Sequence, residues 1–330
     1  MDRTCVVVTG GNGFIGSHLV EALAGRGYEL QCLVRKTSNL QWLQDVPVKF
    51  AYGDVTDAAS LPDAVRGADY VYHLAGVVEA RREETFDRVN VQGTRNLLQA
   101  VVQHAPGLRR FVYASSQSAA GPCSEKIPLD ECDEPNPITR YGRSNLEAEK
   151  VVLSYRERVP VTVIRPPAVY GPRDTMILPY FKIVKLGIRP LLGLKHAKYI
   201  SLCYVGDLVR GFILAGESEK AVGETYFIGD ERAYSRAEVL DCMAEVLSVK
   251  AMTVHVPDVF AHLLAGLSAV FGRFAKSSAT LSPEKARELI AKYWICDVSK
   301  ARRELGYESR VGLREGLRMT ADWYREQGWL

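Results

Sequence analysis

The run VVVTGGNGFIGSHLV spaces Gly10, Gly13 and Gly16 three residues apart, straight after an apolar strand and at the head of a helix. Each glycine has a physical task in such a run. One makes the tight turn, one lets backbone N–H groups approach a pyrophosphate, and one lets the helix pack on the strand. The helix N-terminus adds partial positive charge. The chemistry is dinucleotide binding. The end of the second strand reads CLVRKTSN, with Val34, Arg35 and Lys36 and no carboxylate to hold ribose hydroxyls. Two cations and the Ser38 hydroxyl suit a 2′-phosphate, so NADP(H) is expected over NAD(H), with NAD(H) the alternative. A second constellation is RYGRSN, where Tyr141 and Asn145 stand four residues apart and so on one face of a helix.

These groups need a scaffold, and the first half of the chain supplies the pattern of one. TCVVVTG, YELQCLV, VKFAYGD, YVYHLAG, RRFVYAS and VPVTVIRP read as strands. FIGSHLVEALAGRG, FDRVNVQGTRNLLQAVVQ and YGRSNLEAEKVVLSYRER read as helices between them. Strands alternating with helices predict an α/β fold with a doubly wound parallel sheet of Rossmann type. After about Tyr170 the rhythm changes to helices with few, short strands. The expected division is a nucleotide-binding domain over residues 1–170 and a smaller, mostly helical substrate lobe over 171–330, some of whose segments return to the first domain.

The totals narrow the function. A net charge of +3 over 330 residues offers no nucleic-acid footprint. Seven scattered cysteines without a CxxC read as reduced thiols in a cytoplasmic protein, and no metal site is expected. The apolar run Val259 to Phe274 is too short to span a bilayer, which takes about 20 apolar residues. It reads as a lid over the substrate site or core, with docking on a membrane surface beside Arg273 and Lys276 the second reading.

The motifs together resemble those of the extended short-chain dehydrogenases/reductases, the NAD-dependent epimerase/dehydratase group that includes dihydroflavonol reductases and 3β-hydroxysteroid dehydrogenases. TGGNGFIG is similar to the group's glycine motif and brings in Phe14 and Ile15. GDVTD resembles its adenine-contacting segment, at Asp54 and Val55, and HLAG its cofactor-side loop, at Leu74, Ala75 and Gly76. NVQGT resembles its helix motif, which implies that Asn90 braces the central strand. YASSQSAAG resembles its serine segment, and IRPPAVYGP the strand end flanking the nicotinamide, at Pro166, Pro167 and Val169. The resemblance implies Tyr141 as acid/base and Ser116 as the hydroxyl that polarises a carbonyl, with Ser115 in reserve. It also implies a small-molecule substrate and a homodimer.

One position departs from the family. A lysine four residues after the tyrosine is usual; here it is Asn145. An amide can still donate to the nicotinamide ribose, but it carries no charge to stabilise a phenolate. Lys150 is too far along the helix, and Arg143 faces elsewhere. The expectation is an NADP(H)-dependent reductase of a small, apolar ketone or aldehyde, favoured in the reductive direction. The alternatives are a nucleotide-sugar epimerase or dehydratase and a weakened NADP(H)-binding protein. The uncharged stretch Ile200 to Cys203 stands where sugar-nucleotide members place an arginine, although Lys195, His196 and Lys198 lie near. Arg81 and Arg82 read as a solvated basic turn, and His73 as a packed residue.

Overall fold

The structure is a computed structural model that describes residues 4–80, 82–193, 197–257 and 283–330. The apolar run from Val259, with Arg273 and Lys276, lies outside them, as do Arg81, Lys195 and His196.

The first half contains β1 (Cys5–Thr9), α1 (Phe14–Ala24), β2 (Glu29–Val34), β3 (Lys49–Tyr52), α2 (Pro62–Val65) and β4 (Tyr70–His73). It continues with α3 (Glu83–Phe86), a π-helical turn (Asp87–Gln92), α4 (Gly93–His104), β5 (Arg110–Ala114), α5 (Gln117–Ala120), α6 (Arg140–Ser154) and β6 (Val161–Arg165). The second half adds β7 (Ala168–Tyr170), α7 (Leu178–Lys185), β8 (Ile188–Leu192), β9 (Tyr199–Tyr204), α8 (Val205–Glu217), β10 (Thr225–Phe227) and β11 (Ala233–Ser235). It closes with α9 (Arg236–Val246), β12 (Met252–Val256), α10 (Pro283–Ile290), β13 (Tyr293–Trp294), α11 (Ser299–Leu305) and α12 (Leu313–Glu326).

Seven strands form one parallel sheet in the order β10-β6-β5-β4-β1-β2-β3. The apolar runs are near-continuous because helices cover both faces. Alternate residues serve opposite cores. Val6 and Val8 of β1 pack with Leu19 and Leu23 of α1 and Phe212 of α8. Val7, between them, packs with Leu97 and Val101 of α4 and Val152 of α6. The strand order reverses between β1 and β4, which opens a crevice at their carboxyl ends.

The second half of the chain divides between two tasks. α8 and β10 complete the main sheet and its helical cover. The remainder forms a lobe in which short strands accompany the helices. β9 pairs with β11, β13 and β7, and β8 pairs with β12. Phe181, Leu240, Met243, Leu317 and Tyr324 form its core. No described helix is long and apolar enough to cross a membrane.

Candidate active site

The glycine run builds a cradle at the crevice. Gly10 has φ +71°, and a Cβ there would stand 2.7 Å from the Leu74 carbonyl oxygen and the Ala75 nitrogen. A Cβ on Gly16 would stand 2.2 Å from the Gly10 oxygen. The loop can therefore close on α1 and on the strand-end loop only without side chains. Gly13 N–H donates to the Gly10 carbonyl at 3.0 Å, which tightens the turn. A groove of about 240 Å³ opens beside it, lined by Gly10, Gly13, Arg35, Asp54, Leu74 and Ala75 among others. Val55 and Gly76 also line it.

The remaining residues of this set have varied placements. Phe14 and Ile15 begin α1 but turn toward the apolar cores, Phe14 edge-on to His18. Arg35 N–H donates to Ser38 Oγ at 3.1 Å, so the two form one turn at the groove's rim. Lys36 is exposed and does not line the groove. Neither Arg35 nor Lys36 has an ion pair among the described residues. Asp54 Oδ1 accepts from Thr56 N and Oγ1, each at 2.8 Å, which fixes the carboxylate in place. His73 is buried between the Thr9 and Thr94 hydroxyls, at 2.6 and 2.9 Å, and burial lowers its pKa to about 3. It is a neutral, packed residue.

Asn90 requires a correction. It does not brace the central strand. Its Oδ1 accepts from Val77 N at 2.8 Å, and its Nδ2 donates to the Val77 carbonyl and to Ser144 Oγ at 3.1 and 3.0 Å. It ties the loop after β4 to α6. The π-helical turn that carries it adds a residue to the helix and so re-aims the side chain, a device common at functional sites.

α6 is set against α5 with almost no gap. A Cβ on Gly142 would fall 2.2 Å from the Ser118 carbonyl oxygen, and the Thr139 hydroxyl caps the helix by accepting from Gly142 N at 3.1 Å. This contact brings Tyr141 to Ser116. The Ser116 hydroxyl and the Asn145 side chain lie against the Tyr141 phenol, and both favour its ionised form. Burial opposes them and wins, with Glu288 adding to it, so the phenol pKa stands above its ordinary value. Asn145 is itself held. Its Nδ2 donates to the Tyr141 carbonyl at 2.9 Å, and its Oδ1 accepts from the Tyr113 hydroxyl at 3.3 Å.

Ser115 is a second correction. Its hydroxyl is bonded to Glu149 Oε1 at 2.5 Å, away from any role at a carbonyl. Glu149, 2% exposed, also takes a bidentate pair from Arg165 Nε and Nη2 at 2.9 and 2.7 Å. Adjacent residues at a strand end point to opposite sides. Ser116 therefore faces the crevice and Ser115 the ion pair.

Beyond Ser116 lies a second cavity of about 210 Å³, walled by Gln117, Pro167, Arg236, Glu288, Leu289 and Trp294. Pro167 belongs to the predicted strand end; Pro166 behind it accepts from Gln117 N at 2.8 Å. Val169 sits in β7, paired with Cys203. Sequence reasoning missed Gln117, Arg236, Glu288 and Trp294. Arg236 follows the N-cap Ser235 and so resembles a solvated first-turn residue. It instead donates to the carbonyls of Leu289 and Glu288 at 2.5 and 3.4 Å, while Lys198 reaches Leu289 and Trp294 Nε1 reaches Glu288. Those carbonyls end α10, where orphan acceptors favour cations. Nothing local in the sequence signals this pairing across about fifty residues.

A sequence model of the NAD dependent epimerase/dehydratase family matches residues 6–229. Ceramide reductase of Caulobacter vibrioides is 30% identical, over 99% of this chain and 96% of that protein. The 3 beta-hydroxysteroid dehydrogenase/Delta 5-->4-isomerase of Mycobacterium tuberculosis is 31% identical, over 97% and 90%. Among solved structures, MoeE5 in complex with UDP-glucuronic acid and NAD superposes with a TM-score of 0.77 at 26% identity, covering 98% of this chain and 99% of that one.

Proposed function

The chain belongs to the NAD dependent epimerase/dehydratase family, and we propose that within it the protein is an NADPH-dependent reductase of a ketone borne on an apolar, lipid-like molecule. The observation that carries this reading is the Tyr141 phenol, half-buried against the Ser116 hydroxyl that lines a separate cavity, with its pKa raised by burial. A phenol that holds its proton at neutral pH is an acid, and reduction of a ketone calls for one.

The groove residues fit a dinucleotide, because the Gly10 and Gly16 positions leave room only for backbone beside a helix N-terminus. Gly10, Gly13, Asp54, Val55, Leu74, Ala75 and Gly76 would hold it, and Arg35 with Ser38 would take a 2′-phosphate. Bound there, the cofactor supplies hydride. The chain does the rest. Ser116 donates a hydrogen bond to the carbonyl oxygen and so polarises it. Tyr141 transfers its proton to the same oxygen as negative charge develops. Asn145 holds the start of α6 and donates toward the phenol, without the fixed charge of a lysine. Pro167, Ala168, Ile200, Leu289 and Trp294 supply the apolar part of the cavity wall. Relatives named for ceramide and steroid chemistry support a lipid ketone. A homodimer of the usual kind remains part of this proposal.

The test is NADPH consumption with long-chain and steroid ketones. Tyr141→Phe is expected to lower kcat/KM by about 10²–10⁴-fold while leaving the melting temperature near that of the wild type. Full turnover by this variant would end the proposal. Interconversion of a UDP-sugar without net cofactor change would put an epimerase in its place. Tight NADPH binding with no turnover of any carbonyl would leave a binding protein. For the cofactor, Arg35→Ala should weaken NADPH binding about 10–100-fold, the worth of a charge-assisted hydrogen bond, and leave NADH unchanged. Equal effects on both would remove the 2′-phosphate contact.

A further inference from the structure

Exposed apolar side chains are ordinary when scattered and informative when they gather. Of the twelve large apolar residues that stand exposed among the described residues, six gather on three adjoining elements of the lobe: Tyr180, Ile183, Leu186, Ile188, Met252 and Val254. Tyr180 and Ile183 stand three residues apart on α7, and Leu186, three further on, lies just past its end. Gly187, at φ +81°, turns the chain straight into β8. There Ile188 stands opposite Met252 of β12, and Val254 follows two residues later on the same face. The run is therefore continuous, and its middle is bare, with Leu186 78% and Met252 72% exposed. The other sides of these elements are firmly seated. Phe181 and Val184 of α7 are fully buried in the lobe core, and Leu191 of β8 packs against it.

Charge decides what such a face can meet. Lys182, Lys185 and Lys250 stand exposed on the same segments, with no ion pair among the described residues. Residues 175–193 and 246–257, which hold α7, β8 and β12, contain no aspartate or glutamate. The acids of α9, the helix packed against α7 and β8, are each taken by an arginine: Glu238 by Arg232, Asp241 by Arg189 and Glu245 by Arg314. We infer that the outer face of α7, β8 and β12 is a docking surface for an anionic lipid bilayer, its apolar side chains entering the headgroup boundary and its three lysines meeting headgroup phosphates. A second copy of the chain would set these lysines against themselves about a two-fold axis. Residues 258–282 carry Arg273 and Lys276 against the single acid Asp258, so they offer no counter-charge either. An anionic bilayer supplies both an apolar phase and the counter-charge, and lysine stems can lie along apolar surface while their heads reach the phosphates. The inference goes beyond the reductase reading and holds without it. The same lobe supplies Ile200 and Trp294 to the second cavity, which suits a ketone drawn from a lipid phase.

The experiment is flotation of the full chain with vesicles of phosphatidylcholine alone and of equal parts phosphatidylcholine and phosphatidylglycerol. Binding is expected on the mixed vesicles and should fall steeply with added salt. Leu186→Glu with Met252→Glu should weaken it at least about tenfold, since two bare side chains no longer enter the lipid. Lys182→Gln, Lys185→Gln and Lys250→Gln together should weaken it about fivefold per lysine on the mixed vesicles. All five positions are exposed, so both variants should melt where wild type does. A glutamate variant that melts several degrees lower would show the face to be covered by protein, and overturns the inference. So does a dimer that Leu186→Glu dissociates, which would give the face to a second copy. No binding by wild type, equal binding to both kinds of vesicle, or binding that neither variant weakens overturns it as well. Flotation is read without turnover, so failure here leaves the reductase reading standing, and failure of that reading leaves this inference standing.

Discussion

Two successive parts of α6 solve opposite problems. Its first two turns present Tyr141 and Asn145, neither of them charged, to the crevice. One turn further on, Glu149 is buried and ionic, clamped by Arg165 and by the Ser115 hydroxyl. On its buried face the helix thus keeps its one charge at Glu149, where a partner neutralises it, and leaves only dipoles beside the Tyr141 phenol. Burial therefore dominates at Tyr141 and holds the proton on. A buried charge is tolerable when it is paired and hydrogen-bonded, and a charge near a reacting group changes which direction of the reaction is easy. The contrast between the turns is the physical basis for expecting reduction to be favoured over oxidation.

The largest way to break the contrast is at the ionic turn. Glu149→Gln leaves Arg165 buried without its counter-charge, and Arg165 Nη1 already has no partner among the described residues. The loss should be about 3–5 kcal/mol in urea unfolding. The double variant Glu149→Leu with Arg165→Met should recover much of it, because well-packed apolar groups often replace a buried pair at little cost. A loss under 1 kcal/mol in the single variant would show the pair to be solvated in solution.

Asn145→Lys attacks the other turn. A cation there favours the phenolate, so the pH limb for alcohol oxidation should move down, and oxidative kcat/KM near neutrality should rise about tenfold, the effect of one pKa unit. Reduction should change less, because the acid form is already present. Equal gains in both directions, or an unmoved pH limb, would detach Asn145 from the phenol.

The smallest effect sharpens the contrast with a carboxyl that lacks what Glu149 has. Asp230 is 3% exposed and neither carboxylate oxygen has a hydrogen-bond partner among the described residues; the nearby Tyr234 hydroxyl and Arg232, itself bonded to Glu238, only partly offset its burial. Burial pushes its pKa up from 3.8 to about 7. Between about pH 4 and 7 the folded protein keeps a proton that the unfolded chain releases. Its contribution is therefore fully present below about pH 4 and is lost as pH rises through about 7. Asn mimics the protonated acid, so Asp230→Asn should raise the melting temperature relative to wild type more at pH 8 than at pH 5. The same difference at both pH values would contradict the raised pKa.

Much of the scaffold could be read along the chain because its signals are local. Val6, Val7 and Val8 announce a strand covered on both faces, and Gly10 and Gly16 are needed wherever a loop must close on a helix this tightly. Asn145 stood out for the same reason, as one residue at a set helical spacing. The second cavity had no such signal. Gln117 reads as a strand-end polar residue and Arg236 as a solvated helix start. Their places on one cavity wall follow from α10 and β13, far away in sequence. For Ser115 and Ser116, adjacent and chemically alike, only the family's spacing favoured Ser116, and the physical reason came with the pleat that turns one to Glu149 and the other to Tyr141.

The sequence by itself determined the periodic parts: the parallel sheet, the glycine cradle, the basic turn at Arg35, and a phenol and an amide on one helix face. Backbone sterics and side-chain periodicity act over a few residues, so they are written locally. Only the tertiary structure decided which serine meets the phenol, which carboxylates are paired, and which groups wall the second cavity. Those outcomes depend on burial and on partners brought together from distant segments, and no short stretch of chain contains both halves of such a contact.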